Sequence, residues 1–273
     1  MTLLGALLMG LLQGLTEFIP VSSSGHLAIL DFIFDQEAPL FLDVFVHLAT
    51  LLATLIVFRE QCFKLLRAGK YLPAYLVSSL KQKRLATTDN PNLYFLVLVL
   101  ISFFVTGCLA LLIKDHIEFI GQKPIVLACL FILNGFILLS SRYARSGHKN
   151  IKQLNIRHAI WVGLAQAFAV LPGISRSGSC IASLMHLKAE RKLVGDYAFI
   201  LSIPTIFAAF ILTLQSDLSS IQWTEASVAF ITAFISGFFA LKFLLRWIQQ
   251  GKLWIFSFYS FLLGIVLLVL QAA

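Results

Sequence analysis

Long apolar runs broken by short polar turns set the pattern of this chain. Residues 1–19 form an apolar, helix-compatible run that stops before Pro20, since a proline disfavours helix at the residue ahead of it, Ile19. Ser22, Ser23, Ser24 and Gly25 then supply turn and N-cap chemistry. The apolar piece that follows, His26–Phe34, covers only about half a bilayer. Full spans are predicted over Phe41–Phe58, Leu93–Ile113, Pro124–Ser141, Val194–Leu214, Ala226–Leu245 and Leu253–Leu270. Pro124 suits the first turn of its helix. Ala159–Leu171 is again too short to span and ends at Pro172-Gly173. Ile174-Ser175-Arg176-Ser177-Gly178 and a short apolar run to Leu187 come next.

The charges orient these segments. Residues 59–92 are predicted as a loop carrying Arg59, Lys64, Arg67, Lys70, Lys81, Lys83 and Arg84 against Glu60 and Asp89. Residues 142–158 hold basic side chains and no acid, and Lys188, Arg191 and Lys192, then Arg246 and Lys252, mark two further basic loops. The loop at 114–123 is balanced, and those at 35–40 (Asp35, Glu37) and 215–225 (Asp217, Glu225) lack Lys and Arg. By the positive-inside rule the basic loops are cytoplasmic. The others lie outside with both termini. The expected fold is therefore an all-α integral membrane protein with six transmembrane helices and two re-entrant helix-turn-helix hairpins. The first hairpin dips in from outside and the second from the cytoplasm.

A shift of 153 residues lays Gly10, Gln13, Ser22, Ser24, Gly25 and Asp43 on Gly163, Gln166, Ser175, Ser177, Gly178 and Asp196. Each half then reads as a hairpin plus three spans, with opposite orientation. This predicts one membrane domain, 1–273, built as an inverted-topology repeat with halves of about 1–141 and 157–270. Broken helices in such repeats tend to meet at the bilayer midplane.

Composition agrees. The chain has 273 residues, 59% hydrophobic and 12% charged, where soluble domains run near ~25% charged. Its mean hydropathy is +0.90. The net charge of +8 resides in short loops between apolar runs, which is a topology signal rather than a nucleic-acid footprint. Cys62, Cys108, Cys129 and Cys180 lack metal or CxxC spacing and read as packing residues. The N-terminus has no basic n-region or small-residue cleavage site, so it is not expected to be a removable signal.

The polar turns carry the candidate chemistry. Glu17 is the acid deepest in an apolar stretch, and of the 21 Lys and Arg residues only Arg176 falls away from a loop or membrane boundary. Buried charges are rarely left unpaired, so Glu17 and Arg176 are expected to meet. The pair either staples the two repeats or lines a polar pocket. Each turn feeds a helix N-terminus, whose free N–H groups favour anions, and Arg176 adds a bidentate phosphate donor. Ser22, Ser24, Gly25, Gly173, Ser175, Ser177 and Gly178 are the candidate anion-binding residues around them, with simple turn and cap chemistry as the other use of such residues. Ser23 and His26 are spaced for contact at a helix start, giving a nucleophile beside a base. His26 bonded to backbone is the competing reading. Gln13 lies one turn before Glu17 on the same face. His47 and Asp43 share a helix face that either borders the pocket or packs. The residues alone fit a transporter or lipid flippase with a midplane anion site as well as an enzyme.

QGLTEFIPVSSSGH at Gln13–His26 and PGISRSG at Pro172–Gly178 resemble the two motifs of the undecaprenyl-diphosphate phosphatase family of the bacitracin-resistance type, roughly (E/Q)GxTEFxPVSSTGH and PGxSRSG. Order, spacing and span count match over nearly the whole chain. The resemblance implies hydrolysis of undecaprenyl diphosphate to the monophosphate carrier lipid of cell-wall synthesis. It implies a bacterial inner-membrane location with the active site open to the outer, periplasmic side. Glu17, Ser23, His26 and Arg176 are the implied catalytic residues, with either Ser23 or His26 as nucleophile. Glu17 is also the candidate ligand for a divalent cation, Mg or Ca. Gln13 stands where many members have glutamate, leaving one carboxylate fewer for such a cation, and Ser24 replaces a common threonine. The implied partners are the membrane and a long-chain polyprenyl diphosphate lipid, and a homodimer is one assembly open to such a chain.

Overall fold

Twelve α-helices and no named strand make up the computed structural model of the protein, which describes residues 2–34, 40–81, 88–121, 123–144, 147–213 and 222–272. Helix α1 (Leu3–Phe18) stops short of Pro20, and α2 (Ser23–Phe34) starts within the serine turn. Then come α3 (Leu40–Val57), α4 (Arg59–Gly69), α5 (Leu72–Lys81), α6 (Pro91–Gly121) and α7 (Pro124–Ser140). The second half holds α8 (Ile156–Phe168), α9 (Arg176–His186), α10 (Arg191–Thr213), α11 (Trp223–Gln250) and α12 (Phe256–Ala272).

The caps explain several boundaries. Asn90 and Asn155 accept backbone N–H bonds at the starts of α6 and α8, and Ser175 accepts the Gly178 N–H at the start of α9. Gly251, at φ 69°, ends α11 in the left-handed conformation that glycine tolerates.

Two sequence expectations change here. The predicted loop at 59–92 contains α4 and α5, and α4 turns 84° from α3. The charges of α4 lowered its apolar signal, yet they sit on one face of an amphipathic helix. The loop at 114–123 also changes: α6 continues through Gly121, because the polar residues after Ile113 include no helix breaker. Asp35, Glu37, Lys83, Arg84 and Asp217, with the side chains of Lys114, Asp115 and Glu118, lie outside the described residues.

Among the described residues five helices are long and apolar enough to cross a membrane, and six if α3 and α4 count as one broken span. Large apolar side chains such as Phe104, Leu112, Leu262 and Leu270 cover their outer faces. Polar side chains including Gln13, Thr50, Asn134 and Gln166 are fully buried. This inside-out polarity, with the apolar spans, makes the chain a multi-pass membrane protein.

The packing is exchanged between halves. Helix α1 packs along α11, and α8 packs along α6; α3 meets α10, and α7 meets α12. The α1–α11 seam is built from small residues. A Cβ at Gly10 would collide with the α11 backbone at Ala229, and one at Gly14 with Ala233 and Gly237. Gly10-x3-Gly14 thus faces Ala229-x3-Ala233-x3-Gly237, the close-approach pattern of membrane helix pairs. Gly14→Leu is expected to destabilise the protein by about 1–3 kcal/mol through overpacking. The readout is melting temperature in detergent, and an unchanged value would contradict this docking of α1.

Candidate active site

The two polar turns meet. The Ser22 hydroxyl accepts N–H bonds from Gly25 at 3.3 Å and, across the junction, from Gly173 at 2.9 Å. Ser22 has φ 70° and Gly173 φ 97°, so both turns use the left-handed region. A Cβ on Gly25 would stand 2.8 Å from the Gly173 nitrogen, which is why glycine occupies this crossing. The Ser177 hydroxyl donates to the Phe18 carbonyl at 3.1 Å. Asn134, from α7, clamps both turns: its Oδ1 accepts from the Ser175 N–H at 2.9 Å, and its Nδ2 donates to the Pro20 carbonyl at 3.2 Å. A lone asparagine in an apolar span is the sequence signal that could have revealed this role.

Glu17 is the hub. One carboxylate oxygen pairs with the Arg176 guanidinium. The other accepts the Ser23 hydroxyl at 2.7 Å and the Gln13 amide at 3.0 Å, with His47 Nε2 at 3.5 Å. The Glu17 side chain is 3% exposed and that of Arg176 20% exposed, so the acid is enclosed while the guanidinium reaches open space. His47 Nδ1 lies 2.7 Å from the Asp43 carbonyl. A carbonyl can only accept, so Nδ1 carries a proton, and Nε2 is the nitrogen that faces Glu17.

A cavity of about 210 Å³ opens beside this hub. Its lining is polar at Glu17, Ser22, Ser23, Ser24, His47, Ser175, Arg176 and Thr205, and apolar at Val44, Val170, Ile174, Ile206 and Ala209. The N-termini of α2 and α9 both begin at its edge. Helix starts leave N–H groups without intrahelical acceptors and place partial positive charge there. The arrangement suits an anion with an apolar tail.

Several expected residues fall elsewhere. Gln13, Gly25, Gly173, Ser177 and Gly178 hold the turns together behind the cavity rather than lining it. The contact expected between Ser23 and His26 is not made. His26 Nδ1 bonds the Ser22 carbonyl at 2.7 Å, and Nε2 bonds the Tyr259 hydroxyl at 2.7 Å. Helix α2 starts at Ser23, as that contact required, but the Ser23 hydroxyl is taken by Glu17 on α1, and His26 turns to the Ser22 carbonyl and to Phe131 and Tyr259 on α7 and α12. His47, left open between pocket and packing by the sequence, is the histidine at the cavity.

The donor set does not form a cage for Mg or Ca. The oxygens of Glu17 face a guanidinium, a hydroxyl, an amide and an imidazole. Among the described residues no three His, Cys, Asp or Glu side chains converge.

Comparison with known proteins follows this geometry. Residues 6–266 match the family described as Bacitracin resistance protein BacA. The undecaprenyl-diphosphatase of Carboxydothermus hydrogenoformans is 38% identical, over 98% of this chain and 97% of that protein. That of Treponema denticola is 36% identical over 97% and 96%, and that of Methanobrevibacter smithii 34% identical over 97% and 96%. This chain belongs to the bacitracin resistance protein BacA family.

Proposed function

We propose that this chain is a membrane phosphatase hydrolysing undecaprenyl diphosphate to undecaprenyl phosphate and inorganic phosphate. It thereby recycles the lipid carrier for peptidoglycan synthesis and confers bacitracin resistance. One observation carries the reading: a serine hydroxyl and an arginine engage the two oxygens of one buried carboxylate, at the mouth of a cavity lined by both anion-favouring and apolar residues.

The terminal phosphate enters between the α2 and α9 N-termini and takes donors of Arg176 away from Glu17. Ser23 Oγ then forms a bond to the terminal phosphorus. Its proton passes to Glu17, whose receiving oxygen also has His47 Nε2 3.5 Å away. The bond from phosphorus to the bridging oxygen breaks, and the lipid monophosphate leaves. The proton on Glu17 goes out with the lipid monophosphate, which frees the carboxylate. Water then attacks the phosphoserine and gives its proton to Glu17, the bond from phosphorus to Ser23 Oγ breaks, Oγ takes that proton back, and phosphate leaves. Charge stabilisation by Arg176 and the helix ends is the main lever in such transfers. His26 is a positioning residue in this scheme, fixing the Ser22 carbonyl and so the turn that presents Ser23. A divalent cation, Mg or Ca, enters only as a counterion carried by the diphosphate, and no step is assigned to it.

The arrangement in the membrane is part of the proposal. Helices α3, α6, α7, α10, α11 and α12 are the six spans, while α1–α2 and α8–α9 are re-entrant hairpins of an inverted repeat with halves of about 1–141 and 157–270. The starts of α2 and α9 differ by the same 153 residues as the motif alignment, and the exchanged packing pairs equivalent helices. Val44 and His47 lie early on α3, and Thr205, Ile206 and Ala209 late on α10, far from the basic ends of both helices. That supports a site open to the outer side of the bacterial inner membrane. A homodimer is carried in the same reading.

The test is to quench turnover of purified protein on undecaprenyl diphosphate and map the phospho-enzyme. Parallel acid and alkaline quenches preserve phosphoserine and phosphohistidine respectively. Label on Ser23 is expected; label on His26 or His47 would overturn the serine assignment. Absence of phosphate release by the pure protein would overturn the phosphatase reading itself.

A further inference from the structure

A second cavity, of about 420 Å³, lies at the other end of α3. Three separate parts of the chain build it: the α3–α4 corner with Arg59, Glu60, Gln61 and Lys64, the start of α10 with Lys192 and Asp196, and α11 with Phe238 and Lys242. Four cations against two acids leave it positive. No ion pair joins these six side chains among the described residues. The N-terminus of α4, where Phe58 provides no side-chain cap, also opens on this cavity. Lys242 is steadied over the Phe238 ring, its Nζ 4.1 Å from the centroid, which leaves the ammonium facing the space.

This cavity is distinct from the first. From His47 to Val57, which lines the second cavity, is about 15 Å along α3 at the helical rise. Phe18, Phe199 and Phe58 fill the interval, with ring centroids 5.8 and 5.9 Å apart. The helices around the second cavity sit as membrane-surface elements do. On α4, Phe63 and Leu66 are 62% and 71% exposed, and on α5 Leu76, Val77 and Leu80 are exposed too. A helix turned 84° from a span, with apolar side chains bare and cations beside them, suits the headgroup layer.

We infer that this cavity is a binding site for a phosphate-bearing anion, reached from the basic-loop side and separate from the Arg176 site. The shared chemistry admits two sources, free inorganic phosphate and the headgroup of an anionic phospholipid. The excess of four cations over two acids, beside a helix N-terminus without a side-chain cap, recognises the phosphate in either.

The full-length protein in dodecylmaltoside is titrated with inorganic phosphate, with dihexanoyl-phosphatidylglycerol and with dihexanoyl-phosphatidylcholine. The glycerol lipid is expected to bind more tightly than the zwitterionic one. The Lys64→Gln/Lys242→Gln variant should lose roughly thirtyfold, at two surface cations removed. Lys64→Arg/Lys242→Arg should keep the affinity, which excludes misfolding as the cause. Phosphate release from undecaprenyl diphosphate should stay close to that of the parent in both variants. Saturation by inorganic phosphate identifies a soluble anion as the ligand, and saturation by the glycerol lipid alone identifies a lipid headgroup; both support the site. Binding unchanged in the double glutamine variant, or no preference for the anionic probes in the parent, would overturn it.

Discussion

Arg176→Lys lowers phosphate release by roughly 10²–10³-fold, the expected loss of a positioned donor set at a transferring phosphoryl group. The protein should remain folded. Lysine keeps the positive charge beside Glu17, so the ion pair between the two turns survives. It loses the planar fork that engages two phosphate oxygens at once. The comparison separates two uses of the same residue. If Arg176 only staples α9 to α1, lysine is an adequate staple and turnover stays near that of the parent. Turnover and melting temperature measured together decide it: activity near that of the parent in the lysine variant would remove Arg176 from the chemistry.

Glu17→Gln is expected to cost both stability and turnover. The amide is nearly the shape of the carboxylate but leaves Arg176 without its counter-charge and Ser23 without a base. Breaking a buried pair costs about 3–5 kcal/mol, and the partial exposure of Arg176 places this case at the low end because water can reach the guanidinium. Loss of the base should lower turnover by roughly 10²–10⁴-fold. The double variant Glu17→Gln/Arg176→Gln carries no unpaired charge and should regain much of the stability while remaining inactive. Activity returning together with stability in that double variant would reduce Glu17 to a structural role.

The sequence revealed the spans because hydrocarbon demands long apolar runs, and it revealed the turns because serine, glycine and proline punctuate them. Glu17 and Arg176 were legible as charges in apolar surroundings, and their pairing follows from the cost of leaving either alone. Helices α4 and α5 were not legible by the same measure, since an amphipathic surface helix has low mean hydropathy and its signal is one-sided. The continuation of α6 to Gly121 is hidden because the charged residues after Ile113 mark the end of an apolar run and not of the helix. The choice between His26 and His47 depends on the partners that the α2 side chains find: Glu17 takes the Ser23 hydroxyl, and the Ser22 carbonyl and Tyr259 take His26. Tyr259 and Asn134 reach the site from α12 and α7, and contacts across such separations leave no periodic trace.

The exchanged packing of α1 on α11 has a bearing on how the protein is made. Helix α1 leaves the ribosome well before α11, and the surface that fits its Gly10 and Gly14 is completed only when Gly237 has been synthesised. Until then Glu17 is a carboxylate in a helix too short to span, without the α11 neighbour along which that helix packs. A chain truncated before α11 therefore carries an undocked acidic segment in the membrane, a form that quality control can recognise.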